Sequence, residues 1–192
     1  MLHGRGRSPE EKIDLAARFG VLDGMRWVVP RAERGGSWYP NRFFDGAAAN
    51  EPFLTRAVER CHLAVEEASE DGRLGPERLV LAGFSQGACL ALEYAVRHPG
   101  RVGTLIVLTG ALITPPARGT RFDGMRVLLT GSDVDDWVPE RYSYETARAL
   151  EQLGAEVTLR VYSGRPHIVN DDEIRAAREM LRSRLSEIQF PR

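Results

Sequence analysis

The chain has 192 residues, 43% of them hydrophobic and 28% charged, the balance of a globular domain rather than of a disordered or fibrous chain. Its 26 basic residues nearly cancel its 27 acidic ones and no block of like charge stands out, which argues against nucleic acid as a partner. No apolar run approaches the roughly 20 residues that span a bilayer, and two cysteines, Cys61 and Cys89, make neither a disulfide framework nor a zinc site. The expectation is a cytoplasmic protein with no membrane insertion, no metal and one domain over residues 1–192. With its first motif starting at Leu2, no leader peptide is expected.

Ser8-Pro9-Glu10-Glu11 reads as a helix start, with a cap, proline at the first helical position and a glutamate three residues past the cap. It predicts a helix over Pro9–Phe19. Met25–Pro30 reads as a strand, and Arg31–Asn50, rich in glycine and aromatics, fits neither class. An amphipathic helix is predicted over Pro52–Glu70. Arg78–Gly83, Gly103–Thr109 and Met125–Thr130 are near-continuous Val/Leu/Ile runs, as expected of strands buried on both faces. Between them lie a helix over Gln86–Arg97, stopped by His98-Pro99-Gly100, and a long loop, Ala111–Gly124. A helix over Tyr142–Leu153, a strand over Glu156–Tyr162 and a helix over Asp171–Ile188 complete the chain. This alternation predicts an α/β fold with a mostly parallel sheet flanked by helices.

The segment from Arg78 to Gly87 runs an apolar strand into Gly83-Phe84-Ser85-Gln86-Gly87, and a helical stripe of Leu90, Ala91, Tyr94 and Ala95 follows at once. A serine at such a turn projects its hydroxyl from the helix N-terminus at the edge of the sheet. The flanking glycines occupy positions where a Cβ would collide, and the Gln86 amide points to where an oxyanion forms. Five residues alone would also fit a structural serine between glycines. The strand before and the helix after favour Ser85 as a nucleophile.

A serine nucleophile needs a base, and the base an orienting acid. His62 lies within an amphipathic helix and His98 at a helix end, both structural positions, while His3 belongs to the N-terminal loop. His167 follows the last strand in the loop Ser163-Gly164-Arg165-Pro166, where the crevice of a doubly wound sheet forms. It is the natural base; a helix-capping histidine is the other reading. The acid is expected after Val127–Thr130, in a loop where Asp133, Asp135 and Asp136 all qualify and spacing does not choose among them. The order Ser, Asp, His is that of α/β-hydrolase triads. Cys89, one turn past Ser85, reads as a buried structural thiol.

The sequence resembles the phospholipase/carboxylesterase group of α/β-hydrolases, which includes the acyl-protein thioesterases. The resemblance covers essentially the whole chain. It rests on Leu2-His3-Gly4-Arg5-Gly6, Trp38-Tyr39-Pro40, the Ser85 turn, the segment Asp133–Pro139 and Gly164-Arg165-Pro166-His167. The D-x-D-x-x-V-P pattern of the group implies Asp135 as the acid, and the His-Gly loop implies Arg5 as the second oxyanion amide beside Gln86. The activity implied is hydrolysis of short- to medium-chain carboxylic esters on small-molecule substrates, with no cofactor. Acyl-protein thioester or lysophospholipid hydrolysis is the neighbouring alternative, and a catalytically silent binding module the distant one.

Three departures from the group stand out. The group has a full apolar strand before Leu-His-Gly, whereas this sequence begins Met1-Leu2, so a truncated start or a lost strand is expected, with the oxyanion loop unanchored upstream. The uncovered sheet edge would favour pairing with a second copy as a homodimer. Arg165-Pro166 stands where small residues are usual; Arg165 then faces solvent or contacts an anionic substrate group. There is no room for an inserted lid, so the crevice is expected to be open. Its lining is expected to draw on Trp38 and Tyr39, with Phe43 and Phe44 near by, on Ile113 in the stretch after the second central strand, and on Trp137 beside the acid.

Overall fold

The computed structural model describes residues 1–7, 9–20, 25–33 and 35–189. Four parallel strands, β1 (Val80–Phe84), β2 (Thr104–Leu108), β3 (Arg126–Ser132) and β4 (Glu156–Tyr162), lie in that order across the sheet. Six helices accompany them: α1 (Pro9–Arg18), α2 (Gly46–Asn50), α3 (Phe53–Ala68), α4 (Gln86–Arg97), α5 (Glu140–Gln152) and α6 (Asp171–Gln189). The expected central strands and helices are present, with ends shifted by a few residues. The Ser8 cap lies outside the described residues.

Side chains alternate along the strands with period two, so β1, β2 and β3 each feed two cores. Leu81, Leu105, Val107, Val127 and Leu129 pack with α3, α4 and α5 on one face. Ala82, Phe84, Ile106, Leu108 and Leu128 pack with α1 and α6 on the other, against Leu15, Phe19, Ile174, Ala177 and Leu181. This is why β2, buried throughout, is an unbroken apolar run. Registers Phe84↔Leu108↔Thr130 bring the C-terminal ends of the first three strands level, and the loops that leave this edge carry the site.

Two expectations are corrected. Met25–Pro30 is not a strand. A cavity of about 400 Å³, walled by Met25, Trp27 and Val28 on one side and by Val80 and Leu81 on the other, separates it from β1. Its Val28 carbonyl accepts from the Met1 amino group (2.6 Å), and Leu2, not this segment, holds the place beside β1. The oxyanion loop, in turn, is anchored: Leu2 forms a parallel bridge to Gly83, and Leu2 and His3 are buried. The aromatic loop 31–50 also carries order of its own, a 3₁₀ turn over Phe43–Asp45 and α2, stitched by Asn50, whose amide group donates to the Arg42 and Gly46 carbonyls. Among the described residues no helix is long and apolar enough to cross a membrane.

Candidate active site

Ser85 sits between β1 and α4 with φ 54° and ψ −121°, a left-handed conformation that a non-glycine residue adopts only under constraint. The constraint is visible. The Ser85 amide donates to the Leu108 carbonyl (3.0 Å) and its carbonyl accepts from the Cys89 amide (3.0 Å), so strand and helix grip both sides. A Cβ on Gly83 would land on the Gly87 carbonyl, and one on Gly87 would land on the carbonyls of Leu2 and His3. Ser85 is the N-cap of α4 yet makes no side-chain cap bond. Its hydroxyl turns instead to His167.

His167 Nε2 lies 2.8 Å from Ser85 Oγ, and Nδ1 lies 2.7 Å from Asp135 Oδ2. The other Asp135 oxygen accepts from the amides of Trp137 (2.8 Å) and Val138 (3.0 Å). Burial alone would raise the pKa of this carboxyl; hydrogen bonds from His167 and from the Val138 and Trp137 amides outweigh it and hold the group below its ordinary value. Of the three aspartates in the loop, Asp133 turns away: it accepts from the Ser163 hydroxyl and the Gly164 amide, both at 2.7 Å, and so pins the start of the histidine loop. The carbonyl of Asp136 accepts from the Arg42 guanidinium (3.0 Å).

Arg5 and Gln86 line a cavity of about 40 Å³ at Ser85, together with Tyr39, Phe43, Cys89 and Trp137. Gln86 is the first residue of α4, where an amide has no carbonyl partner inside the helix. The side chains of these two residues hold one loop. Gln86 accepts from the Trp38 amide (3.0 Å) and donates to the Tyr39 carbonyl (2.7 Å); the Arg5 guanidinium donates to Ser37 Oγ (3.2 Å) and to the carbonyls of Pro40 (2.7 Å) and Asn41.

Tyr39 and Trp137 border this cavity, as the sequence suggests. Trp38, Ile113 and Arg165 lie outside it. The Trp38 indole donates to the His3 carbonyl (2.8 Å) and packs on the His3 ring, so it braces the oxyanion loop from behind. Ile113 is buried in the core against the α3–α5 layer. Arg165 neither faces solvent nor reaches the cavity: its side chain is 5% exposed and paired with Glu173. Sequence reasoning passed over Arg42 and Val138. Arg42 lies over the Trp137 ring at 4.8 Å and so bridges the two rims of the cleft, a contact between loops 94 residues apart that no local pattern announces.

An oriented Ser–His–Asp relay with a buried carboxylate, set at a small cavity, is suited to acyl transfer through a serine ester. Among the described residues, no three His, Cys, Asp or Glu side chains are grouped to hold a metal.

A family model described as Phospholipase/Carboxylesterase matches residues 1–185. The chain belongs to the phospholipase/carboxylesterase family. Membership makes it a serine hydrolase of the esterase type, in company with relatives named carboxylesterases. A crystal structure of a phospholipase/carboxylesterase from Dyadobacter fermentans superposes with a TM-score of 0.84 at 35% identity, covering 94% of this chain and 87% of that one. An Arabidopsis thaliana protein named probable carboxylesterase SOBER1-like is 25% identical over 207 residues, 96% of this chain and 77% of its own length. The acyl-protein thioesterase 1 of Saccharomyces cerevisiae is 29% identical over 123 residues, 60% of this chain and 54% of its own. This family member carries its helices on both faces of a parallel sheet and, among the described residues, has no evident lid.

Proposed function

We propose that this chain is a carboxylesterase hydrolysing short- to medium-chain esters through Ser85, His167 and Asp135. The observation that carries the reading is the continuous relay of 2.8 Å and 2.7 Å contacts from Ser85 Oγ through both imidazole nitrogens to Asp135. Ser85 attacks the acyl carbonyl while His167 takes its proton, then returns it to the leaving alcohol. Asp135 orients the ring and stabilises the imidazolium. The amides of Gln86 and Arg5 receive the negative oxygen of the tetrahedral intermediate. Water, activated by the same imidazole, attacks the acyl-enzyme; the carboxylic acid departs and Ser85 recovers its proton. The cavity beside Ser85 is small, which favours short esters.

The test is hydrolysis of p-nitrophenyl esters from acetate to decanoate by the 192-residue chain and by Ser85→Ala. The expected result is turnover of the short members and a loss of roughly three or more orders of magnitude in the variant. Equal rates for the two proteins would overturn the reading.

A further inference from the structure

We propose that Arg165, braced by Glu173, is a positioning residue that sets the place of His167; this rests on His167 being the base for Ser85. The loop from Ser163 to Asn170 has little backbone bonding of its own, the Ile168 amide to Pro166 carbonyl contact (2.7 Å) being the one recorded within it. His167 is part-exposed, with Phe84 on one side (5.1 Å) and the Trp137 ring at 6.2 Å. Side chains must therefore fix its backbone. The Arg165 guanidinium folds back beneath the loop and donates to the carbonyls of Pro166 (3.3 Å) and Ile168, the two residues that flank His167. Its other nitrogen donates to Thr109 Oγ1 (2.9 Å) at the end of β2, and the Arg165 carbonyl accepts from Ser132 Oγ (2.6 Å) at the end of β3. The segment carrying the imidazole is thus bracketed and tied to two strand ends.

Glu173 holds the guanidinium in turn. Its carboxylate lies 3.7 Å from Arg165 and accepts from Thr130 Oγ1 and from the Asn170 amide (2.8 Å), while its own amide donates to Asn170 Oδ1 (2.8 Å). Thr130 Oγ1 accepts from the Thr109 amide (3.0 Å), which closes the network. Burial pushes the Glu173 carboxyl above its ordinary value against these bonds, and Arg165 Nε is buried with no acceptor among the described residues. A pair so placed is poor evidence of a stability device and fits one that specifies geometry. The other charged or titratable groups around the network are Tyr162 from β4, whose ring the guanidinium faces at 5.5 Å, Arg18 from α1, bonded to the Val169 carbonyl and Asp171, and Asp135 at the imidazole.

The experiment compares wild type, Arg165→Met, Arg165→Lys and Glu173→Gln in full-length protein. Readouts are kcat and KM on p-nitrophenyl acetate from pH 5 to 9, the ring ¹⁵N shifts of His167, and circular dichroism, with Ser85→Ala as the blank. Because a misplacement of about 1 Å costs on the order of a hundredfold, Arg165→Met should lose ten- to a hundredfold in kcat with KM nearly unchanged. Arg165→Lys should recover part of this, its ammonium reaching a carbonyl without the two-pronged fit. Glu173→Gln should also lose kcat, by less than Arg165→Met. Wild-type kcat and wild-type His167 ring shifts in all three variants would overturn the proposal. So would a rise in KM alone for Arg165→Met, which would make Arg165 a substrate contact. If Arg165→Met does not fold, the other two variants decide by the same criteria. If wild type is no faster than Ser85→Ala, the esterase reading fails, and the brace stands or falls on whether the His167 ring shifts change in the variants.

Discussion

Leu2 and Gly83 face each other in a single parallel bridge: the Leu2 amide donates to the Ala82 carbonyl (2.8 Å) and its carbonyl accepts from the Phe84 amide (3.3 Å). Two residues separate Leu2 from Arg5, as two separate Gly83 from Gln86. The bridge thus sets the spacing of the Arg5 and Gln86 amides, the proposed oxyanion donors. Leu2 is 1% exposed, so Leu2→Ala should cost about 2–5 kcal/mol in urea unfolding. It should also lower kcat by more than it raises KM, because the Arg5 amide drifts from the developing charge.

Gly83→Ala and Gly87→Ala should both fail, and for steric reasons. Each added methyl meets backbone carbonyls rather than a side chain that could swing aside. An overpacking cost of about 1–3 kcal/mol or more is expected. Thermal unfolding would check it. A midpoint equal to that of wild type would mean that the strand and helix part more readily than the packing implies.

Asp135→Asn should leave the fold intact and reduce kcat by about 10⁴-fold, because the amide stabilises the wrong tautomer and no imidazolium. The carboxyl also links stability to pH. Its native pKa is lowered from the ordinary 3.8, so its contribution is full above that value and is lost as pH falls through the lowered native one. Urea midpoints measured from pH 6 down to pH 2 should therefore fall more steeply in wild type than in Asp135→Asn. Parallel curves would contradict this.

Trp137 is 52% exposed and lies beneath the Arg42 guanidinium. Trp137→Ala should change stability by no more than about 0.5 kcal/mol. Since the indole borders the cavity, its loss should appear in KM for the longer esters. A thermal scan and a chain-length series separate the two effects.

The strands and the sharp turn at Ser85 were legible because each is a local pattern. Unbroken apolar runs mark β2 and β3, and the Gly-x-Ser-x-Gly turn needs only five consecutive residues. The choice among Asp133, Asp135 and Asp136 was not local. Asp133 is taken by Ser163 and Gly164, a partnership visible only once β3 and β4 are adjacent. Met25–Pro30 has the composition of a strand, but Leu2 holds the place beside β1, and composition carries no information about neighbours. Arg165 misleads for a related reason. An arginine in a loop reads as solvated until Glu173 comes beneath it from the next helix, bringing a compensating charge.

The loop from Ser37 to Asn41 is held by the side chains of the same two residues whose amides face the nucleophile. On the proposed roles of the Arg5 and Gln86 amides, selectivity and turnover are mechanically coupled as a result. Remodelling that loop to admit a bulkier acyl group also tilts the charge-receiving amides. Variants selected there for new esters should trade speed for breadth along a single line, whereas changes at Phe43, which has no such linkage, should widen the cavity at constant rate on the smallest ester.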